Sequence, residues 1–294
     1  MNFINQMIAT LDAFQRRHLA TAFAVGLQKK YGEDQAGNLG VQLTYSMFVT
    51  VFPLLLLLVT ILGIVLADHP AERARVLHSV ASEFPVIGDQ LTHNVQALKR
   101  GSPFGLAIGI IGVVYGTTGL AQAGLYAMEQ IWAIPTKDRP NFFIRLGRSL
   151  AFLAFLGIGL IVTTALSGFG TFGRHNVALG YLAEAVAAMV NVGIYLGSFC
   201  VLTPKFIRPR QLIPGAIVGG IAWTVLQAFG GYIVGHTLKG ASATYGTFGL
   251  VLGLVAWIAL GAKITVYCAE VNTVIDRHAW PVPLAGNSSD STTG

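Results

Sequence analysis

The residues best placed for chemistry lie inside the last hydrophobic stretch, Gly246 to Val274, where Lys263, Tyr267 and Glu270 are spaced four and three residues apart. Such steps return to one side of an α-helix, so the three side chains form a stripe. A charge inside a spanning helix costs about 2.5 to 3.5 kcal/mol at mid-bilayer on insertion scales, and so calls for a partner, a watery cavity or an interface. The stripe is therefore the leading candidate for a transport site, expected to face the protein interior with Glu270 paired to a base. A plainer reading stands beside it, in which Lys263 snorkels to the nearer surface and Glu270 marks the headgroup level where the helix ends. Glu184 and Gln122 are further polar residues expected within apolar spans. Pro53, inside another span, cannot donate a hydrogen bond and frees the carbonyl of Val49; a bend there would open a cleft. Glu129, Arg145 and Arg148 gather at the ends of two spans as a candidate charge cluster on the cytoplasmic side.

Other chemistry finds little support. No nucleophile, base and metal set converges, and His69, His78 and His93 match no zinc spacing, so no catalytic residue, metal or cofactor is expected. A phosphate-binding loop is lacking, which argues against ATP hydrolysis within this chain. Cys200 and Cys268 sit in or at the end of apolar segments and indicate no disulfide framework.

Composition sets the class. Hydrophobic residues make up 53% of the 294 and charged residues 11%, against about a quarter charged in an ordinary soluble domain. The expectation is an all-α polytopic membrane protein whose first partner is the lipid bilayer. The net charge of +6 is spread thinly between hydrophobic spans, so it orients the chain in the membrane rather than binding nucleic acid. Oligomeric state is left open.

Six spans are expected, at about 39–67, 104–128, 150–169, 178–202, 213–234 and 246–272. Residues 1–38 form a cytoplasmic N-terminal segment, in which Phe3, Ile4, Met7, Ile8, Leu11 and Phe14 recur at helical spacing beside Arg16, Arg17, Lys29 and Lys30. That pattern suits an amphipathic helix on an anionic leaflet, or equally a helix packed under the bundle. Residues 68–102 read as a helical extracytoplasmic loop capping one mouth, and 275–294 as a cytoplasmic tail. The second and fifth spans are rich in glycine and alanine, which lets helices approach closely. Bases concentrate in the segments assigned to the inside, while the short outer links hold only Arg174 and Lys239, which places both termini in the cytoplasm. No cleavable signal is evident, so the first span is expected to act as its own signal. Tyr115 to Leu120 and Tyr245 to Leu250 look alike, but one lies mid-span and the other at a span's start, so they are not equivalent repeats.

Several stretches together are recognisable: LTYSMFVTVFPLLLLLVTILG, GLYAMEQIW, IPGAIVGGIAWTVLQ, and YGTFGLVLGLVAWIALGAKITVYCAEVNTV. They resemble the YihY/BrkB family of bacterial inner-membrane proteins over about residues 30–275, in a form similar to actinobacterial members. The family's Gly-Ala-Glu stands here as Cys268-Ala269-Glu270, so the acid carries over. Its Leu-Asn near the end of the second span is replaced by Met128-Glu129, so any role of that asparagine does not. The resemblance implies six helices in a bacterial plasma membrane. Members have been called virulence or serum-resistance factors, suspected lipid exporters and, by a mistaken attribution, a ribonuclease. The absence of convergent metal-binding acids argues independently against a nuclease. Two non-enzymatic readings follow: movement of a lipid or other amphiphilic substrate across the membrane, or a scaffold whose charges fix orientation and packing.

Overall fold

The computed structural model describes residues 19–65, 103–170, 177–233 and 239–280. Apolar runs of this length must satisfy every backbone group internally once water is excluded, and the α-helix does this within one segment. Among the described residues the chain is accordingly all helix: α1 Leu19–Glu33, α2 Ala36–Val65, α3 Pro103–Ile131, α4 Phe142–Gly170, α5 Val177–Leu202, α6 Pro209–Ile233 and α7 Lys239–Asp276. A 3-10 turn, Thr136–Asp138, lies between α3 and α4. Each of α2 to α7 contains most of one expected span. The last helix begins at Lys239, before the expected start of its span, and runs for 38 residues. Among the described residues three segments are long and apolar enough to cross a membrane: Phe142–Gly159, Ala185–Leu202 and Val251–Asp276. The amphipathic pattern before Leu19, the loop expected over 68–102 and the tail after Trp280 fall outside the described residues.

Helix ends are written in the sequence. Pro103 and Pro209 open α3 and α6, where a missing N–H is no loss. Asn141 caps α4, its Oδ1 accepting from the Ile144 N–H at 3.1 Å. The end of α3 folds back with Ile134 N–H donating to Glu129 O at 2.8 Å and Ala133 N–H to Gln130 O at 2.9 Å. This leaves Ala133 left-handed, at φ 49°, where glycine is usual. The end of α7 repeats the motif with His278 at φ 50°.

Each of α2 to α7 packs against the next and α7 returns to α2, closing a ring, while α3 also reaches α5 and α7. Glycines make the contacts close, as the small-residue spacing predicts. A methyl on Gly112 would stand 2.7 Å from Pro53 Cβ, and one on Gly116 would stand 2.9 Å from Thr50 Cα. On α6, Gly219 faces the Tyr195 ring and Gly220 the Val192 backbone. The α3 side of Pro53 is thus filled, and the cleft expected from a bend does not open on that side. Fully buried side chains such as Leu125, Ile131, Phe199, Leu212, Val266 and Val274 collect where α3, α5 and α7 end and α6 begins. Ile111, Phe143, Ile158, Phe229 and Leu252 face outward, as lipid-facing surface would.

Candidate functional site

The polar side chains singled out in the sequence converge on that same end of the bundle, around two carboxylates with no exposed surface, Glu129 and Glu270. Glu129 lies in the last turn of α3, where the helix's own carbonyls repel an acid. Arginines offset this. Arg145 Nη1 donates to both carboxylate oxygens, at 3.2 and 3.3 Å, and Arg139 Nε lies 3.6 Å away. Arg145 Nε also donates to Gln122 Oε1 at 2.8 Å, and Gln122 Nε2 reaches Ser149 Oγ at 3.4 Å. Arg139 in turn donates to Gln130 Oε1 at 3.0 Å. Gln122 therefore belongs to the charge cluster rather than to a cleft. Arg148, one turn beyond Arg145, is half-buried with Nη1 buried and unpartnered.

Glu270 is held from another side. Lys30 of α1 brings Nζ to 3.6 Å from Glu270 Oε2, while also contacting Asp34 and donating to Ile131 O at 3.1 Å. Thr273 Oγ1 donates to the Glu270 backbone O at 2.9 Å and lies 3.3 Å from Oε2, whereas Oε1 is buried without a partner among the described residues. Arg277 Nη2 donates to Trp132 O at 2.6 Å. Lys30 and Arg277 thus serve carbonyls at the end of α3, where unpaired acceptors and the dipole favour cations.

Tyr267 stacks on Tyr31 of α1, with ring centroids 4.1 Å apart and planes at 10°, and its hydroxyl donates to Gln28 Oε1 at 3.1 Å. Burial raises the Tyr31 hydroxyl above its ordinary pKa of 10, and the charges of Tyr267 and Glu270 add to this. Tyr31 therefore stays neutral against α7. The contacts continue at Gly26, which abuts the Ala279 carbonyl, and at Phe23, whose ring meets Trp280 edge-on at 5.4 Å. Helix α1 consequently packs along the end of α7, which is the packed-helix alternative for this part of the N-terminal segment.

The stripe is split. Glu270 has its base, but Lys263 is exposed, beyond the cover of α1, and has no ion pair among the described residues. It continues the outward face of Leu252, Ala256 and Leu260, so the expectation that the whole stripe faces inward is corrected. The reason is geometric: the stripe lies on the outside of α7, and only its last turns are covered by α1. Glu184 lies on α5 with its side chain outside the described residues; seven residues on, Asn191 Nδ2 donates to Thr224 Oγ1 of α6 at 3.0 Å.

Sequence reasoning did not assign Lys30, Arg139 or Arg277 as partners. It also missed Asn272, whose Oδ1 accepts the Gly215 backbone N–H of α6 at 2.6 Å. Gly215 follows an in-helix proline, Pro214, and any Cβ there would strike the Cys268 carbonyl, so α6 and α7 meet closely at this point. Among the described residues no three His, Cys, Asp or Glu group to hold a metal.

A ring of helices with apolar outer faces, charges gathered at one end and segments able to cross a bilayer defines a helical membrane protein. The chain belongs to the family described as Virulence factor BrkB, which matches residues 27–290. It is similar to the Inner membrane protein YhjD of Escherichia coli K12, at 22% identity over 90% of this chain and 84% of that one. A Bacillus subtilis protein with a ribonuclease-like name, YfkH, is 20% identical over 87% of this chain and 96% of its own. A UPF0761 membrane protein of Pseudomonas aeruginosa is 21% identical over 84% of this chain and 61% of its own. No solved structure matches the chain.

Proposed function

We propose that this chain is a six-span protein of the bacterial plasma membrane, with both termini cytoplasmic, that moves a lipid or another amphiphile between leaflets. Lys263 is the observation that carries the reading. An exposed cation without an ion pair among the described residues follows the apolar outward face of α7, where α2 approaches closely enough that a Cβ on Gly40 would lie 4.0 Å from Lys263 Cα. Gln42 and Tyr45 are exposed on α2. Polar groups on a lipid-facing seam offer a headgroup contacts that the bilayer interior withholds. Glu129 and Glu270, paired within the protein, hold the ends of α3, α4 and α7 together.

A second reading, a membrane scaffold without transport, is favoured by the same two carboxylates, since their partners tie α1, α3, α4 and α7 into one end. Reconstitution into vesicles carrying a fluorescent phospholipid separates the two. An impermeant quencher should bleach well beyond the outer-leaflet half in protein-containing vesicles under the first reading. Bleaching that stops at half, as in protein-free vesicles, would leave the scaffold.

A further inference from the structure

We infer that the α3–α4 end of the bundle holds one anionic phospholipid by its phosphate, with Arg148 as the receiving cation. Three guanidinium groups crowd this end, those of Arg139, Arg145 and Arg148, but one buried carboxylate serves it. Both oxygens of Glu129 are taken by Arg145, with Arg139 beside them. Arg148 follows Arg145 by one turn of α4; its Nη1 is buried with no acceptor among the described residues, while the side chain as a whole is only half-buried. A guanidinium remains charged at any physiological pH, so it cannot escape the conflict by losing a proton. Lys137, Arg139, Arg145 and Arg148 stand against Glu129 and the exposed Asp138, leaving a local excess of two positive charges.

The surroundings say which anion completes the set. Phe142, Phe143 and Ile144 in the first turn of α4 are exposed, and so is Leu150 just past Arg148. Large apolar side chains on both sides of Arg148 put it at the boundary between headgroups and acyl chains, where aromatic and basic residues anchor a protein. A phosphodiester bearing acyl chains supplies both the bidentate acceptor that a guanidinium favours and apolar contact for Ile144, exposed one turn before Arg148 on the same face of α4. Inorganic or glycerol phosphate supplies only the first. Phosphatidylcholine brings a positive choline toward a cluster already in cationic excess. An anionic headgroup such as that of phosphatidylglycerol fits all three conditions, and a resident lipid of this kind requires no transport.

The full chain, delipidated in neutral detergent, would be titrated with phosphatidylglycerol, phosphatidylcholine or glycerol 3-phosphate and followed by native mass spectrometry and thermal unfolding. One phosphatidylglycerol should be retained and raise the unfolding temperature, with phosphatidylcholine and glycerol 3-phosphate bound much more weakly. R148Q should weaken phosphatidylglycerol retention about tenfold, equivalent to about 1.4 kcal/mol. R148K, a charge without the fork, should fall between. Equal retention of the two phospholipids, equal stabilisation by glycerol 3-phosphate, or full retention by R148Q would each overturn the assignment. The headgroup comparison on the unmutated chain decides the matter even if R148Q does not fold. Because bound lipid is read by mass, its loss is distinguishable from a failure of lipid movement in vesicles.

Discussion

Replacing Lys30 with Met removes the base that faces Glu270 while keeping the apolar stem. Three contacts are lost together: the ion pair at 3.6 Å, the contact with Asp34 and the hydrogen bond to Ile131 O at 3.1 Å. Glu270 has no exposed surface and one oxygen already lacks a partner, so it is left as an uncompensated buried charge beside a second acid. Removing one partner of a buried pair costs about 3 to 5 kcal/mol. At about 2 °C per kcal/mol for a domain of some 250 residues, K30M should lower the unfolding temperature by at least about 6 °C. E270Q should cost less, because Lys30 keeps Asp34 and Ile131 O, and adding E270Q to K30M should restore part of the loss. Unfolding followed in detergent for the four chains closes the cycle. A K30M chain within about 1 °C of the unmutated one, or strictly additive effects, would refute the reasoning; coupled residues in contact show interaction energies of about 0.5 to 3 kcal/mol.

Three further outcomes are expected. G220A pushes a methyl into the Val192 backbone of α5, which cannot swing aside as a side chain could, and should destabilise by about 1 to 3 kcal/mol, readable as a lower unfolding temperature. A133G relieves a left-handed alanine at the end of α3 and should stabilise by roughly 1 kcal/mol in the same assay. Tyr31 keeps its proton to higher pH in the folded chain than in the unfolded one. The unfolded chain ionises first, so stability falls as pH rises past about 10, and Y31F should flatten that alkaline decline in unfolding measured against pH.

The helices were legible because long apolar runs bounded by proline, glycine and charge leave little other choice. The close packing of α3 and α6 was legible too, since glycines at Gly112, Gly116, Gly219 and Gly220 have no side chain to serve any other purpose. Partners were not. Helical spacing puts Lys263, Tyr267 and Glu270 on one face but cannot say what lies opposite, and the covering helix α1 stands far away in sequence, with Tyr267 and Gln28 meeting across 239 positions. Likewise Gln122 and Glu129 share a helix face by spacing, yet only the placement of α4 brings Arg145 between them. At Pro53 the sequence offered a bend but not the neighbour: Gly112 of α3 stands opposite it, which lets that one side pack closely.

Lipid movement by matched K263Q, K263R and unmutated chains tests the central claim most directly, with the amount of inserted protein measured in the same vesicles. A headgroup contact at Lys263 predicts that K263Q slows fluorescent-lipid movement about tenfold, the rate equivalent of about 1.4 kcal/mol, while K263R stays near the unmutated rate and all three insert equally. Equal movement by K263Q and the unmutated chain, or a loss of movement that merely follows a loss of inserted protein, would contradict the account.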